Sequence, residues 1–313
     1  MTLTERVKFA ALDLGFQAVG VSCVTPDRPE SARLTEWLAQ GYHGDMGWMA
    51  RTAAKRSNPA LVLPGIHAIV SVGMNYYTDD RPDHAPGQGR IARYARGQDY
   101  HRVLGERLDS LVAFMTAHAP DSRSLAYVDT GAVMEKAWAQ RAGLGWIGKH
   151  SNLVSGEHGS WLLLGEVLTT ADLSPDEPGA DLCGTCTLCI KTCPTGAITD
   201  PYVVDARRCL SYLTIEQKGH IPEELQPALG NYIFGCDDCL DVCPYNHQAT
   251  PTSEPAFRAT PLTLNPDLDA LSRQSKEEFQ SAFQGQAVRR AGHEGLQRSV
   301  AIASKNTWWS CND

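Results

Sequence analysis

The sequence predicts a mixed fold, with features of both the α+β and α/β classes, in three parts. They are a layered α/β domain at residues 1–175, a cysteine-rich domain at 181–250 and a helical C-terminal segment at 256–313. Helical and strand patterns alternate through the first part, and eight of the ten cysteines lie between Cys183 and Cys243. Proline-containing linkers at 173–181 and 250–255 separate the parts.

Glycines mark the ends of the first two helices. The amphipathic stretch 4–14 stops at Gly15, and the stretch 30–40 stops at Gly41, as expected of glycine at a helix C-terminus. Further helices are predicted at 102–118 and 132–142, and a helical pattern runs from residue 268 to the end of the chain. Its predicted core residues are Phe279, Phe283, Val288, Leu296 and Ile302.

Four apolar stretches rich in β-branched and aromatic residues predict strands. They are residues 16–24, 67–77, 124–128 and 161–169. The stretch 67–77 carries Ile, Val and Tyr side chains, which suits a central strand. Strands interleaved with helices predict a layered domain that buries one sheet against helices.

Charge and hydropathy exclude several classes of protein. The chain has 313 residues with 28 basic and 36 acidic side chains, a net charge of −8, which excludes a basic coat over the whole surface. The 42% hydrophobic content supports a folded core. No apolar signal core follows the first eight residues, and the weakly charged stretch 61–78 is interrupted by Pro64 and Gly65. We therefore expect a soluble, cytoplasmic protein without membrane contact, and a monomer.

The cysteine spacing predicts two [4Fe–4S] clusters. One run is Cys183-x2-Cys186-x2-Cys189-x3-Cys193-Pro194, and the second is Cys236-x2-Cys239-x3-Cys243-Pro244. In the bacterial ferredoxin pattern, the fourth cysteine of a run binds the other cluster. The second run has Ile233 where its remaining cysteine would stand, and Cys209 is the candidate that remains. The predicted sets are Cys183, Cys186, Cys189 and Cys243 for one cluster and Cys193, Cys209, Cys236 and Cys239 for the other.

The alternative interpretation of these cysteines is a pair of structural zinc sites. Zinc ribbons pair two C-x2-C hooks for each ion, which fits runs ending in Cys-Pro poorly. Disulfides are disfavoured because the sequence shows no export signal. Cys23 and Cys311 lie outside the pattern and are interpreted as an ordinary core thiol and a tail thiol. Paired clusters transfer single electrons, so the first 175 residues must supply either the chemistry or a docking surface.

Two motifs of the first domain resemble cofactor signatures without matching them. Residues 143–148, Gly-Leu-Gly-Trp-Ile-Gly, have the glycine spacing of a dinucleotide site. That site requires a preceding strand and a following helix, and here a helix precedes and a polar loop follows, so we reject a nicotinamide site. In residues 99–105, one residue too many separates His101 from Gly105 for the corrinoid motif in which histidine binds cobalt. A histidine at a helix start is the favoured interpretation.

Candidate functional side chains outside the cysteine region have competing structural interpretations. Asp129 follows a predicted strand, where ligands gather in α/β sheets, but the residues alone favour an N-cap of the next helix. Arg289, Arg290, His293 and Arg298 form a basic stretch, with Arg289 and His293 predicted on one helix face. The stretch fits either a polyanion site or a solvated helix.

Taken together, these motifs resemble the epoxyqueuosine reductase family. The resemblance rests on residues 93–101, residues 129–131 with Glu135, residues 143–149, the eight cysteines and residues 209–216, and it spans about residues 1–303. It implies an N-terminal domain similar to nitroreductase and reductive dehalogenase folds, and a C-terminal segment resembling HEAT repeats. Many members continue beyond this point with further paired helices.

The resemblance also implies a reaction, its cofactors and its partners. The family reduces epoxyqueuosine at the wobble position of tRNAs for Asn, Asp, His and Tyr, with base-off cobalamin and two [4Fe–4S] clusters fed by an external electron donor. It implies that Asp129 is the proton donor, which must remain protonated near neutral pH, and burial against the corrin would raise its pKa accordingly. The residues implied around cobalamin are Arg56, Asp129, Lys149, Asn152, Ser211 and Gln217. Those implied for tRNA phosphates, in the anticodon stem-loop, are Arg289, Arg290 and Arg298.

Two other functions compete with this interpretation. One is another corrinoid iron–sulfur reductase, such as a reductive dehalogenase, but respiratory members carry an N-terminal twin-arginine signal. The Arg-Arg pairs here lie at 207–208 and 289–290, far from the N-terminus. The other is a non-catalytic, ferredoxin-like electron carrier with a docking domain. Cobalamin binding after reconstitution would distinguish the carrier from the enzymes.

Overall fold

The computed structural model describes residues 1–25, 29–83 and 85–309. Its strands are β1 (Ala18–Cys23), β2 (Ala68–Asn75), β3 (Arg90–Ile91), β4 (Ser124–Tyr127), β5 (Trp146–Ile147), β6 (Leu153–Val154), β7 (Leu162–Thr169), β8 (Ile198–Asp200), β9 (Val203–Val204) and β10 (Tyr232–Phe234). All four strands predicted from the sequence are present, as β1, β2, β4 and β7, with bounds within two residues of those expected.

The helices alternate with these strands in the first half of the chain and dominate the last quarter. They are α1 (Leu3–Asp13), α2 (Pro29–Ala39), α3 (Gly47–Ser57), α4 (Tyr100–His118), α5 (Glu135–Arg141), α6 (Leu188–Thr192), α7 (Leu210–Ile215), α8 (Asp238–Asp241), α9 (Pro261–Leu264), α10 (Leu268–Ser272), α11 (Lys276–Ala282) and α12 (Gly292–Trp309). The sequence did not predict α3, whose N-cap residue Met46 makes no side-chain capping bond.

The central sheet has the strand order β1-β2-β7-β4, and each neighbouring pair is antiparallel. Every residue of β2 is buried, which confirms the prediction of a central strand. The antiparallel pairing places this sheet in the α+β class. The argument that ligands gather at the carboxyl ends of parallel strands therefore does not apply to Asp129.

Helices α1 and α4 cover one face of this sheet. Leu104, Leu108 and Leu111 recur on one face of α4, are fully buried, and lie in one core cluster with Val70 of β2 and Val167 of β7. Burying each such leucine contributes about 1.5–3 kcal/mol to the free energy of folding. This packing fixes the N-terminal end of α4, which begins next to the site described below.

The cysteine-rich and C-terminal parts share their packing with the first part. β10 pairs in parallel with β3. Ile233 and Phe234 of β10 lie in one hydrophobic core with Ile91 and residues of α10, α11 and α12. The five predicted core residues of the C-terminal segment are all buried. The parts are thus joined by a common core.

The C-terminal helical pattern divides into separate pieces. Arg289 and Arg290 lie in a short 3₁₀ helix, Ala287–Ala291, and Gly292 has a φ of +72° where α12 begins. The prediction that Arg289 and His293 share a helix face is therefore wrong, because a left-handed glycine breaks the helix between them. Cys311 and the rest of the chain after residue 309 lie outside the described residues. Within the part that is described, no helix is both long and apolar enough to cross a membrane.

Candidate functional site

Side chains from the sheet, α4, α5 and the cysteine-rich part line a cavity of about 270 Å³. Its wall combines tyrosines and leucines with polar and ionisable side chains. The lining residues that the argument uses are Tyr76, Tyr94, Tyr100, Asp129, Glu135, Lys136, Asn152, Ser211 and Cys236. Such a concave wall with few convergent polar groups is typical of a ligand site.

Asp129 stands at this cavity in a left-handed backbone conformation, with φ of +55°. Its backbone N–H donates to Glu135 Oε1 at 2.6 Å. The buried Arg56 guanidinium donates to the carbonyls of Val133 at 2.7 Å and Gly131 at 3.0 Å. The N-cap position of α5 is Met134, so the capping interpretation of Asp129 is wrong. The loop instead presents the carboxyl group to the cavity.

A carboxylate–imidazole–carboxylate chain runs from the start of α4 to Asp129. Asp99, the N-cap of α4, lies with its Oδ1 2.7 Å from His101 Nδ1, and His101 Nε2 lies 3.3 Å from Asp129 Oδ2. The Tyr100 ring stacks on the imidazole with a centroid separation of 4.1 Å. His101 does begin a helix, as predicted, but it also contacts the acid.

The electrostatics of this chain place the proton on histidine. Burial alone would lower the pKa of His101, but its bonds to Asp129 and Asp99 raise it to about 9. The bond from His101 is also the largest cause that lowers the pKa of Asp129, against the effect of burial. In this structure the pKa of the Asp129 carboxyl is lowered because an imidazolium faces it. The rise expected from burial against the corrin stays a prediction. At neutral pH the pair holds one proton, on His101.

Two further ionisable groups on α5, Glu135 and Lys136, line the cavity. Lys136 was not among the site residues predicted from the sequence. Burial, followed by the charge of Asp129, raises the pKa of Glu135 to about 7. Burial lowers the pKa of Lys136, whose Nζ donates to Asn152 Oδ1 at 2.7 Å and to the Ser151 carbonyl at 3.1 Å. The sequence signal that could have identified Lys136 was its position directly after Glu135 at the start of a helix.

Half of the predicted cofactor residues line the cavity. Asp129, Asn152 and Ser211 are the three that line it. The other three are engaged elsewhere: Arg56 holds the loop before α5, Lys149 Nζ donates to the carbonyls of Gly184 and Cys186, and Gln217 Nε2 donates to the His220 carbonyl.

Several of the eight cysteines influence each other electrostatically, although among the described residues their side chains form no preassembled group of three metal ligands. Burial raises the pKa of Cys189, and so do the charges of Cys183, Cys243 and Cys186. Burial likewise raises the pKa of Cys239, with contributions from Cys209 and Cys193 next in size. Cys236 is affected by Cys239 and Cys209 in the same way. Cys189 of the first predicted set also acts on Cys239 of the second, so the division into two sets stays a prediction. Cys236 of the second set lines the cavity.

The three predicted RNA-binding arginines differ in their surroundings. Arg289 is exposed, and Arg290 forms a two-bond ion pair with Glu216 at 2.8 and 3.0 Å. The charges of Asp129 and Tyr100 also raise the pKa of Arg290, so Arg290 lies within electrostatic range of two cavity residues. The Arg298 guanidinium donates to the carbonyls of Leu213, Gln217 and Gly219, so its contacts serve the fold.

Comparisons with known proteins agree across sequence and structure. Residues 182–246 match the 4Fe-4S double cluster binding domain, and residues 56–130 match the model described as epoxyqueuosine reductase QueG, DUF1730. The epoxyqueuosine reductase of Escherichia coli K12 is 42% identical over 98% of this chain and 82% of its own length. That of Synechocystis is 43% identical over 90% of this chain and 98% of its own length.

A solved structure shows the same relationship. An epoxyqueuosine reductase crystallised with an epoxyqueuosine-modified tRNA-Tyr stem loop superposes with a TM-score of 0.92 at 32% identity. The match covers 97% of this chain and 81% of that one.

Proposed function

This chain belongs to the epoxyqueuosine reductase family, and we propose that it reduces epoxyqueuosine in tRNA to queuosine. The observation that carries the proposal is the composition of one cavity. It brings the Asp129–His101 proton pair together with Cys236, a thiol of the 4Fe-4S double cluster domain. A site that supplies protons and electrons at one point suits a reductive reaction. It also argues against a mere electron carrier, which requires no proton pair.

The reaction requires two electrons and two protons. Both C–O bonds of the epoxide break, a carbon–carbon double bond forms, and the oxygen leaves as water. The chain must therefore deliver protons to an oxygen that gains negative charge as its bonds to carbon break. It must also pass two electrons inward, one at a time, from an external donor.

The cavity fits cobalamin as the group between the clusters and the substrate. The tyrosines and leucines of its wall offer an apolar surface to a flat macrocycle, while Asn152 and Ser211 offer polar contacts. When bound, cobalamin supplies a strongly reducing metal centre. Asn152, Ser211 and Asp129 are the residues that we assign to its surroundings.

Protons reach the epoxide oxygen through Asp129. Its carboxyl group lies at the cavity, and His101 behind it holds a proton at neutral pH. As negative charge develops on the oxygen, His101 passes its proton to Asp129, which delivers it to the oxygen. The pair then takes up the second proton from solvent. Asp99 bonds to the other imidazole nitrogen, and so fixes the ring orientation and stabilises its charged form.

The two ligand sets would hold the clusters that pass single electrons to the cavity, the first set as the entry and the second as the exit. The second set, Cys193, Cys209, Cys236 and Cys239, includes the cavity-lining Cys236. The first set, Cys183, Cys186, Cys189 and Cys243, contributes no residue to the cavity wall and is assigned as the entry cluster.

The proposed partner is the anticodon stem-loop of a tRNA that carries epoxyqueuosine. Arg290 lies within electrostatic range of two cavity residues and Arg289 adjoins it, so both are assigned to the substrate phosphates. We do not assign Arg298 to RNA, because backbone carbonyls engage its guanidinium. A tRNA substrate agrees with a cytoplasmic location.

An anaerobic turnover assay tests this proposal. The enzyme is reconstituted with iron, sulfide and cobalamin, reduced with dithionite, and incubated with tRNA that contains epoxyqueuosine. The tRNA is then digested and its nucleosides are identified by mass spectrometry. Cobalamin-dependent conversion to queuosine is the expected result. No conversion, with clusters and cobalamin bound and tRNA binding intact, would favour another substrate for a corrinoid reductase.

A further inference from the structure

The glycine-rich segment 143–149 has no part in the reaction proposed above, yet it is tightly built into the fold. A Cβ atom on Gly145 would lie 2.0 Å from the Val154 carbonyl oxygen, and one on Gly143 would lie 2.6 Å from the Glu177 carbonyl oxygen. Both glycines also have positive φ angles, of +156° and +79°. The glycines thus let this segment pack against neighbouring backbone and fix the direction of the side chains between them.

One of those side chains, Trp146, reaches a cysteine of the first ligand set. Its indole Nε1–H donates to Cys183 Sγ at 3.4 Å. The indole is only 2% exposed, and the Tyr245 ring packs edge-on against it at 4.8 Å. The indole is therefore held in place by packing, and its N–H group points at a cluster ligand.

The second side chain, Lys149, places a buried positive charge at the same loop. Its Nζ donates to the carbonyls of Gly184 and Cys186, at 2.6 and 2.9 Å, and the residue is only 8% exposed. Within the described residues, Lys149 forms no ion pair with a carboxylate. Its charge also helps to lower the pKa of the exposed Asp181, and a further negative charge beside it would offset the cost of its burial. A cluster bound by four thiolates supplies that charge.

We propose that Trp146 and Lys149 are positioning residues that raise the reduction potential of the cluster bound by Cys183, Cys186, Cys189 and Cys243. The inference rests on the cluster assignment in the proposed function. Reduction adds an electron to a cluster that is already negative. A hydrogen bond to a ligand sulfur and a buried cation both stabilise that added charge. The first cluster thus becomes easier for an external donor to reduce.

An anaerobic redox titration followed by electron paramagnetic resonance tests this inference, with both clusters reconstituted and neither cobalamin nor tRNA present. Trp146→Phe removes the N–H group, and Lys149→Gln removes the charge but keeps a hydrogen-bond donor. Each is expected to raise the oxidised-to-reduced ratio of one cluster about threefold to tenfold at the wild-type midpoint potential. A tenfold change corresponds to about 59 mV for one electron. Lys149→Arg, which keeps the charge, is expected to titrate like the wild type.

The matched control is Trp138→Phe, which alters an indole that is 1% exposed in a different core cluster. It is expected to shift neither cluster. Titration curves that do not move, or that move equally for both clusters, would overturn the inference. If the Trp146→Phe variant lost its iron, the midpoint potentials of the Lys149→Gln and Lys149→Arg variants would still test the inference. Since the titration contains no cobalamin and no tRNA, its result is independent of whether epoxyqueuosine is the substrate.

Discussion

Asp129 adopts a left-handed backbone conformation that few side chains accept, and asparagine is one that does. Asp129→Asn therefore keeps the loop geometry while removing the exchangeable carboxyl proton. We expect turnover to fall by about 10²–10⁴, the usual contribution of a general acid, with iron content and cobalamin binding unchanged. Single-turnover assays with nucleoside analysis measure the effect.

Asp172→Asn is the matched control, because Asp172 is an exposed acid that does not line the cavity. It is expected to have wild-type turnover. An Asp129→Asn enzyme that retained a third or more of the wild-type rate would exclude Asp129 as the proton donor.

The His101–Asp129 pair predicts a pH dependence of both stability and turnover. The folded pKa of His101, about 9, lies above its ordinary value of 6.5. Protonated His101 therefore stabilises the fold fully below about pH 6.5, and this contribution is lost as the pH rises through about 9. We expect the loss to be about 1–2 kcal/mol, since the pair is solvated through the cavity. Urea unfolding of the wild type and His101→Gln at pH 6 and 9.5 measures the difference.

The His101→Gln enzyme is expected to lack this decrease in stability, and its turnover to lack a decline above about pH 9. Equal pH profiles for the two enzymes would contradict the relay.

At the residue scale, the cysteine spacing predicted two [4Fe–4S] clusters, and the family match at residues 182–246 agrees with that, whereas no local pattern indicated the partner of Asp129. The two runs place thiols by local geometry, which the sequence displays directly. The contact between His101 and Asp129 joins two elements 28 positions apart, and a pattern of neighbours carries no sign of it. The lowering of the Asp129 pKa by His101 therefore had no signal in the sequence.

The loop before α5 depends on a helix that the sequence did not predict. Arg56, near the end of α3, donates two bonds from its buried guanidinium to that loop. Arg56→Lys keeps the charge but cannot span both carbonyls. We expect a loss of about 2–3 kcal/mol of stability and a lower turnover, with the 129–134 amides exchanging faster. Thermal unfolding and hydrogen exchange measure these changes.

Arg51→Lys is the control on the same helix, because Arg51 is exposed. It is expected to change stability by less than about 0.5 kcal/mol. Unaltered exchange of residues 129–134 in Arg56→Lys would show that other contacts hold the loop.

The 3₁₀ helix Ala287–Ala291 presents Arg289 and Arg290, and it predicts an electrostatic contribution to tRNA binding. Each arginine that contacts a phosphate adds about 0.7–0.9 to the slope of log K against log salt concentration. The double variant Arg289→Gln/Arg290→Gln is therefore expected to bind tRNA more weakly, with a slope smaller by about 1–2. Filter binding at several salt concentrations measures it. An unchanged slope, as expected for the α2 control Arg33→Gln, would contradict the assignment.

Element prediction succeeded where amphipathic pattern and end signals agreed. α1 and α4 have apolar residues at helical spacing, and β2 is apolar throughout. α3 lacks a capping side chain, and Gly292 interrupts a continuous helical pattern without changing its periodicity. Both errors arise because local backbone breaks and tertiary support leave little trace in hydrophobic periodicity.

At the scale of the whole molecule, the pairing of strands could not be predicted from the sequence. Alternating helices and strands are also compatible with a parallel sheet, but β1, β2, β7 and β4 pair antiparallel. Likewise, the prediction of three separate parts carried no sign that β10 pairs with β3. Because of these long-range pairings, the cysteine-rich part forms one wall of the cavity.

The shared core predicts that the clusters stabilise more than their own domain. Cys239 of the second set follows β10, whose Ile233 and Phe234 are buried in the C-terminal core. Because metal binding contributes to the free energy of folding, Cys239→Ser is expected to lower the anaerobic melting temperature by about 10 °C or more, in one transition. Calorimetry measures this, with Cys23→Ser, a thiol outside both sets, as the unaffected control. A separate early transition would instead show that residues 181–250 unfold independently.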